Sequence, residues 1–196
     1  MLSAIVLAAG QSKRMGKVNK LLLPYKGKTV IEIVVENILS AGLGEVIVVT
    51  GHEEEKLRNA LKNLAVDFVH NPRYLTGMTS SIQEGIRPAE GKGYMICLSD
   101  MLLISADEYA LLKNGFEKQL LLDDKCICLP VYNEAKGNPV IFSSWYRAAI
   151  LSHQPKEGCK EIVNANKMNN FLVVMNTPHV LKDIDYPQDY EFLGTK

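Results

Sequence analysis

The stretch Leu7-Ala8-Ala9-Gly10-Gln11-Ser12-Lys13-Arg14-Met15-Gly16-Lys17-Val18-Asn19-Lys20 carries two glycines, small polar residues and four cations directly after an apolar run. Glycines let backbone amides approach an anion and form a nest around it. Arg14, Lys17 and Lys20 are then available to neutralise phosphate oxygens, and Lys13 is expected to face solvent. The plain alternative is a solvated basic loop. Position favours the anion, because ligands of open α/β sheets bind at the carboxyl ends of strands. Ser3–Ala8 reads as a buried strand that feeds this loop.

Two familiar phosphate motifs are absent. The dinucleotide fingerprint GxGxxG does not occur. A P-loop needs four residues between its first glycine and the Gly-Lys pair, then Ser or Thr for the metal. Here five residues separate Gly10 from Gly16, and Val18 follows Lys17. Valine cannot ligate a cation, so the loop holds its anion in another way.

A second candidate is Asp100, which follows the apolar run 94–98. An aspartate at a strand end is either a cap for the next helix or an oxygen ligand for Mg²⁺, which takes one or two carboxylates plus phosphate and water. Ser80 and Ser81, at a helix start, are either caps or ligand contacts. Cys97, Cys126, Cys128 and Cys159 include no CxxC pair and no adjacent histidine, so they read as small buried hydrophobes in a reducing compartment. His52, His70, His153 and His179 are scattered and read as structural or surface residues.

The elements that must position these residues follow from apolar periodicity. Strands are expected at 3–8, 45–50, 65–70 and 94–98, and helices at 29–41, 53–64, 76–86 and 105–119. The first helix opens on a capping box, Thr29 with Glu32, and exits through Gly42 and Gly44. From Cys126 the rhythm changes. The segment 126–131, a turn over 132–138 and 139–142 read as a hairpin-like excursion. Helices near 145–152 and 159–165, a strand near 171–174 and a short helix over 187–193 complete the chain. Strands alternating with helices imply an α/β fold with a mostly parallel sheet covered on both faces.

With 196 residues and 47% apolar content the chain suits one domain. Lys plus Arg equals Asp plus Glu, 22 against 22, and no basic stripe is visible, so nucleic acid is not an expected partner. No apolar run approaches the ~20 residues that span a bilayer, and the start lacks a basic n-region. The expectation is a cytoplasmic protein with no membrane partner.

The pattern LAAG-x-S-x-RMG-x3-KLLLP, from Leu7 to Pro24, resembles the signature of the MobA-like NTP transferase superfamily. Within it the resemblance is strongest to the molybdenum cofactor cytidylyltransferase group. Asn71-Pro72 with Gly77-Met78-Thr79-Ser80-Ser81 is similar to that group's NP…GM-x-SS. Leu98-Ser99-Asp100-Met101 is similar to L-x-DMP, Gly137-Asn138-Pro139-Val140 to GHPV, and the segment 183–190 to DIDTPEDY. The resemblance implies a Rossmann-like three-layer sandwich with a mixed, mostly parallel sheet of the nucleotide-diphospho-sugar transferase type. It divides 1–196 into a nucleotide-binding part, about 1–105, and an acceptor-binding part, about 106–196.

The implied reaction moves an NMP, from CTP by preference, onto the phosphate of molybdopterin, with pyrophosphate leaving. A phosphate monoester is already largely dianionic at pH 7, so no general base is required. The implied catalytic residues are Arg14, Lys20 and Asp100. The implied nucleotide-binding set is Leu7, Ala8, Ala9, Gly10, Ser12, Arg14, Gly16, Lys20, Asn71 and Ser81. Mg²⁺, or Mn²⁺ in its place, would be held by Asp100 and Asp185, with Asp183 the competitor for the second position. Ala9 stands where relatives use alanine for cytosine and a second glycine for guanine. Asn138 and Lys160 are the implied acceptor contacts, and a molybdoenzyme or chaperone is the implied protein partner.

The chain departs from the pattern at four places. Asn138 replaces the usual His, Leu102 replaces a Pro, and Lys160 stands where Arg is common. Lys20 lies one residue further from Gly16 than in the cytidylyl branch, which is nearer the guanylyl spacing. Remaining readings are a guanylyl-, isoprenoid-cytidylyl- or sugar-phosphate nucleotidyltransferase, or a carrier that binds nucleotide or cofactor without turnover.

Overall fold

A computed structural model describes residues 1–16, 18–184, 186 and 188–190. The elements are β1 (Ser3–Ala8), β2 (Pro24–Tyr25), β3 (Lys28–Thr29), α1 (Val30–Ser40), β4 (Glu45–Thr50), α2 (Glu54–Ala60), β5 (Asp67–His70), α3 (Met78–Ile86), β6 (Gly93–Leu98) and α4 (Ala106–Leu120). After these come β7 (Ile127–Tyr132), β8 (Ala135–Lys136), β9 (Val140–Ser143), α5 (Arg147–Leu151), α6 (Lys160–Ala165) and β10 (Asn170–Val174).

The main sheet runs β10-β7-β9-β6-β1-β4-β5, with β8 pairing back onto β7. β1 lies parallel between β4 and β6, with Ala8 opposite Thr50 and Leu7 opposite Leu98. These registers bring the carboxyl ends of β1, β4 and β6 to one edge, where the glycine loop begins. β9 is inserted antiparallel between β6 and β7. The sheet is therefore mixed but mostly parallel, as expected.

Period-2 alternation builds two cores. Ala4, Val6, Val46, Val48, Met95 and Cys97 face one side, against Val34 and Ile38 of α1 and Leu112 and Phe116 of α4. Ile5, Ile47, Val49, Tyr94 and Ile96 face the other, against Ile82 and Ile86 of α3, Ile150 of α5 and Ile162 of α6. The result is three layers. Burying each such Val or Ile stabilises the fold by about 1.5–3 kcal/mol.

The capping box at Thr29 and Glu32 forms as expected, and Ser105 with Glu108 makes a second at α4. α2 is shorter than the expected 53–64, and Glu53 enters it in the left-handed region at φ 53°. α3 starts at Met78, after a separate 3-10 turn over Tyr74–Thr76. The expected turn 132–138 contains β8, because Asn133 and Glu134 both take positive φ, 46° and 68°. That is the two-residue hairpin geometry that matches strand twist, here without the usual glycine. The hairpin β2–β3 uses Lys26 and Gly27 in the same way and escaped the periodicity reading. The expected helix over 187–193 falls largely outside the described residues. Among the described residues no helix is long and apolar enough to cross a membrane.

Candidate active site

The loop after β1 is shaped by its own side chains. Ser12 sits at φ 49°, and its hydroxyl accepts from the Lys20 N–H at 3.2 Å. Asn19, buried, accepts from the Leu21 N–H at 3.1 Å. These bonds fold the loop back so that Lys20 returns to the sheet edge. There its Nζ lies 2.5 Å from Asp100 Oδ2. The neighbouring Ser99 hydroxyl donates to the Leu7 carbonyl at 2.6 Å, which fixes the end of β6 against the end of β1.

Asp100 is not a helix cap. Ser105 caps α4. Instead Asp100 presents Oδ2 to Lys20, and among the described residues its buried Oδ1 has no hydrogen-bond partner. An orphaned buried carboxylate oxygen costs free energy unless something fills its place, and a hard divalent cation is a natural occupant. Among the described residues no group of three or more His, Cys, Asp or Glu side chains could hold a metal. Asp185 lies outside the described residues. The chain nevertheless returns to the site just before it, since the Ile184 N–H donates to the Asp100 carbonyl at 3.3 Å. Arg14 approaches the same segment, its guanidinium 5.8 Å from the Tyr186 ring centroid.

A cleft of about 370 Å³ opens here. Of the residues singled out in the sequence, Leu7, Ala9, Gly10, Ser12, Arg14, Lys20, Ser81 and Asp100 line it. A Cβ placed on Gly10 meets nothing within 4 Å, so this glycine leaves open cleft space. Ala8 is buried behind the wall, Gly16 is exposed, and neither lines the cleft. Asn71 is fully buried. Its amide donates to Ser80 and Ser81 hydroxyls at 2.9 and 3.0 Å, so it orients Ser81 from behind. Ser80 donates to the Arg73 and Gly77 carbonyls and caps no helix N–H. Lys13 is exposed to solvent, as expected, and also lines the rim of the cleft. Tyr74 and Met78 also line it. Met78 stood inside a quoted motif, whereas nothing in the sequence marked Tyr74.

A second cleft of about 440 Å³ adjoins the first, and Met78 and Leu98 line both. Asn138 and Lys160 line it, together with Lys136, and its floor is apolar: Ile96, Leu129 and Phe142. Lys136 reaches this rim because the β7–β8 hairpin folds it back opposite Val131. Cys159 also lines it, and burial pushes its thiol up to about 12, so it stays protonated and unreactive at neutral pH. All four cysteines are buried and free. At the start of β7 the hydrogen bond between Cys126, which precedes the strand, and Cys128 within it lowers the first thiol and raises the second.

Two adjoining clefts, one lined by a glycine-containing loop and cations beside a carboxylate, the other with an apolar floor and two lysines, suit a reaction between two bound molecules. Comparison with known proteins agrees. Over 191 residues, 96% of this chain and 93% of the relative, it is 24% identical to a molybdenum cofactor cytidylyltransferase of Escherichia coli. Over 121 residues it is 33% identical to a probable molybdenum cofactor guanylyltransferase of Methanosarcina acetivorans, covering 59% of this chain and 52% of that one. A solved nucleotidyl transferase from Methanothermobacter superposes with TM-score 0.84 at 26% identity, covering 100% of this chain and 99% of the other. The family described as MobA-like NTP transferase domain matches residues 4–170, and the chain belongs to that nucleotidyltransferase family.

Proposed function

We propose that the protein transfers CMP from CTP to the phosphate of molybdopterin within a single domain. The observation that carries this reading is the Lys20–Asp100 pair at the mouth of the glycine loop, with Asp100 Oδ1 unpartnered among the described residues. In the reaction an oxygen of the acceptor phosphate attacks the α-phosphorus of the NTP. The bond from that phosphorus to the bridging oxygen of the β-phosphate breaks, and pyrophosphate leaves with the electron pair. Gly10 and its neighbours receive the triphosphate by backbone amides. Arg14 and Lys20 neutralise the charge that moves onto the leaving oxygens. Mg²⁺, or Mn²⁺ in its place, would be held by Asp100 and Asp185 and supplies further charge neutralisation. Asn71 acts through Ser81, which lines the first cleft. Asn138 and Lys160 face the acceptor in the second.

Cytosine is supported by Ala9 and by similarity along 96% of the chain to a protein named as a cytidylyltransferase. The longer Gly16–Lys20 spacing supports the guanylyl alternative. One experiment separates these readings. Thermal unfolding is followed with CTP, GTP, UTP and ATP, each with Mg²⁺ or EDTA. Ligand at a hundred times its Kd stabilises by about 2.7 kcal/mol, which is roughly 5–11 °C for a chain of this size. The largest Mg²⁺-dependent shift belongs to CTP. A larger one for GTP makes the protein a guanylyltransferase, and no Mg²⁺-dependent shift with any NTP removes the transferase reading. Pyrophosphate release on adding molybdopterin then distinguishes an enzyme from a carrier.

A further inference from the structure

One face of α3 grips residues 150–158, the end of α5 and the segment that leads from it to α6. Gln83 Nε2 donates to the carbonyls of Ile150, Leu151 and His153 at 3.1, 3.2 and 2.9 Å. One turn earlier, Thr79 Oγ1 accepts from the Gly158 N–H at 3.0 Å and donates to the Pro155 carbonyl. The Thr79 N–H reaches the Lys156 carbonyl at 3.4 Å. Residues four apart lie on one helix stripe, so these bonds form one seam. Gly77 completes it: a Cβ there would lie 2.6 Å from the Lys156 carbonyl oxygen, so only glycine lets the two backbones approach.

Thr79 is 5% exposed and lines neither cleft, yet both sides of its seam do. Gly77, Met78 and Ser81 line the first cleft. Met78, Glu157, Gly158 and Lys160 line the second. The first turn of α3 is therefore bonded directly to the wall of the second cleft.

We propose that Thr79 is a positioning residue whose hydroxyl carries nucleotide occupancy of the first cleft into ordering of the acceptor-cleft wall at 155–160. The proposal rests on the nucleotide reading of the first cleft. The test is amide hydrogen exchange resolved by NMR, on the full chain, with and without Mg²⁺ and the nucleotide that gives the largest thermal shift. In the wild type, nucleotide slows exchange at least threefold in the loop around Gly10 and at 156–160. In Thr79→Val the loop is still slowed and 156–160 is not. Thr79→Ser, which keeps the hydroxyl, restores the second effect. With molybdopterin as acceptor, Thr79→Val raises the acceptor KM at least fivefold and leaves the NTP KM within twofold.

A merely structural threonine gives a different result: faster exchange without ligand, with the nucleotide-dependent slowing of 156–160 intact. That outcome overturns the proposal. So does wild-type slowing confined to the loop, which needs no variant and leaves the nucleotide reading standing. No slowing anywhere with any NTP overturns both.

Discussion

Lys20 Nζ stands 2.5 Å from Asp100 Oδ2 and joins the loop after β1 to the end of β6. Each side chain is 15% exposed, so the pair is screened less than an open surface pair. The ammonium is thereby held beside the carboxylate before any triphosphate arrives, and no reorganisation is needed to present both to it.

Asp100→Asn keeps the shape and removes the charge. Pyrophosphate release falls at least about 100-fold, equivalent to ~2.7 kcal/mol of barrier. The nucleotide-dependent thermal shift also loses its response to Mg²⁺. Wild-type release from this variant would exclude Asp100 from the transfer step.

Gly10→Ala separates binding from stability. The added Cβ meets nothing within 4 Å, so the unliganded midpoint stays within about 2 °C. The methyl occupies the space assigned to phosphate, and NTP affinity falls at least about tenfold, ~1.4 kcal/mol. Titration calorimetry decides; unchanged affinity would move the phosphate site elsewhere.

Asn71→Ala acts on both. Its side chain donates to two serine hydroxyls in buried bonds and accepts from the Arg73 N–H at 2.8 Å in a part-buried one. Stranding these groups costs about 2 kcal/mol, roughly 4–8 °C. NTP affinity drops as Ser81 loses its orientation. A midpoint loss without any affinity loss would make Asn71 purely structural.

Glu108 makes a pH-dependent tie between α4 and the segment that leads to the site. Burial works against its charge, but the Ser105 N–H, the Thr177 hydroxyl and the His179 ring outweigh it and hold the carboxyl below its ordinary value of 4.5. A depressed folded-state value stabilises above the unfolded value and is lost as pH falls through the folded one. Glu108→Gln, whose amide can accept only part of these bonds, is less stable than wild type at pH 7. The gap narrows below about pH 4.5. Urea midpoints at pH 7, 5, 4 and 3 check this, and a gap independent of pH would rule out the carboxylate as its source.

Much of this protein is legible in its sequence, for local reasons. Ile5-Val6, Ile47-Val48 and Ile96-Cys97 lie in continuous apolar runs, which read as strands buried on both faces, and the two residues of each pair enter opposite cores. Thr29 and Glu32 mark a helix start three residues apart. The glycines and cations after β1 suit an anion, and two local properties, backbone freedom and charge at a strand end, make that reading available from sequence. Resemblance extended this to a family.

Other features depended on contacts between distant residues. No spacing rule could bring Lys20 to Asp100; that follows from β1 and β6 lying side by side. Asn71 read as a ligand contact until its burial against Ser80 and Ser81 made it a support. The antiparallel pairing of β9 with β7 answers the hairpin-like excursion expected over 126–142, but its insertion beside β6 and the left-handed Glu134 that folds Lys136 back to the second cleft have no local signal. Sequence determines what each segment is able to do over a few residues. Only the packed sheet decides which segments share an edge, because that choice balances burial over the whole core, and at that edge the loop from Leu7 to Lys20 meets its carboxylate.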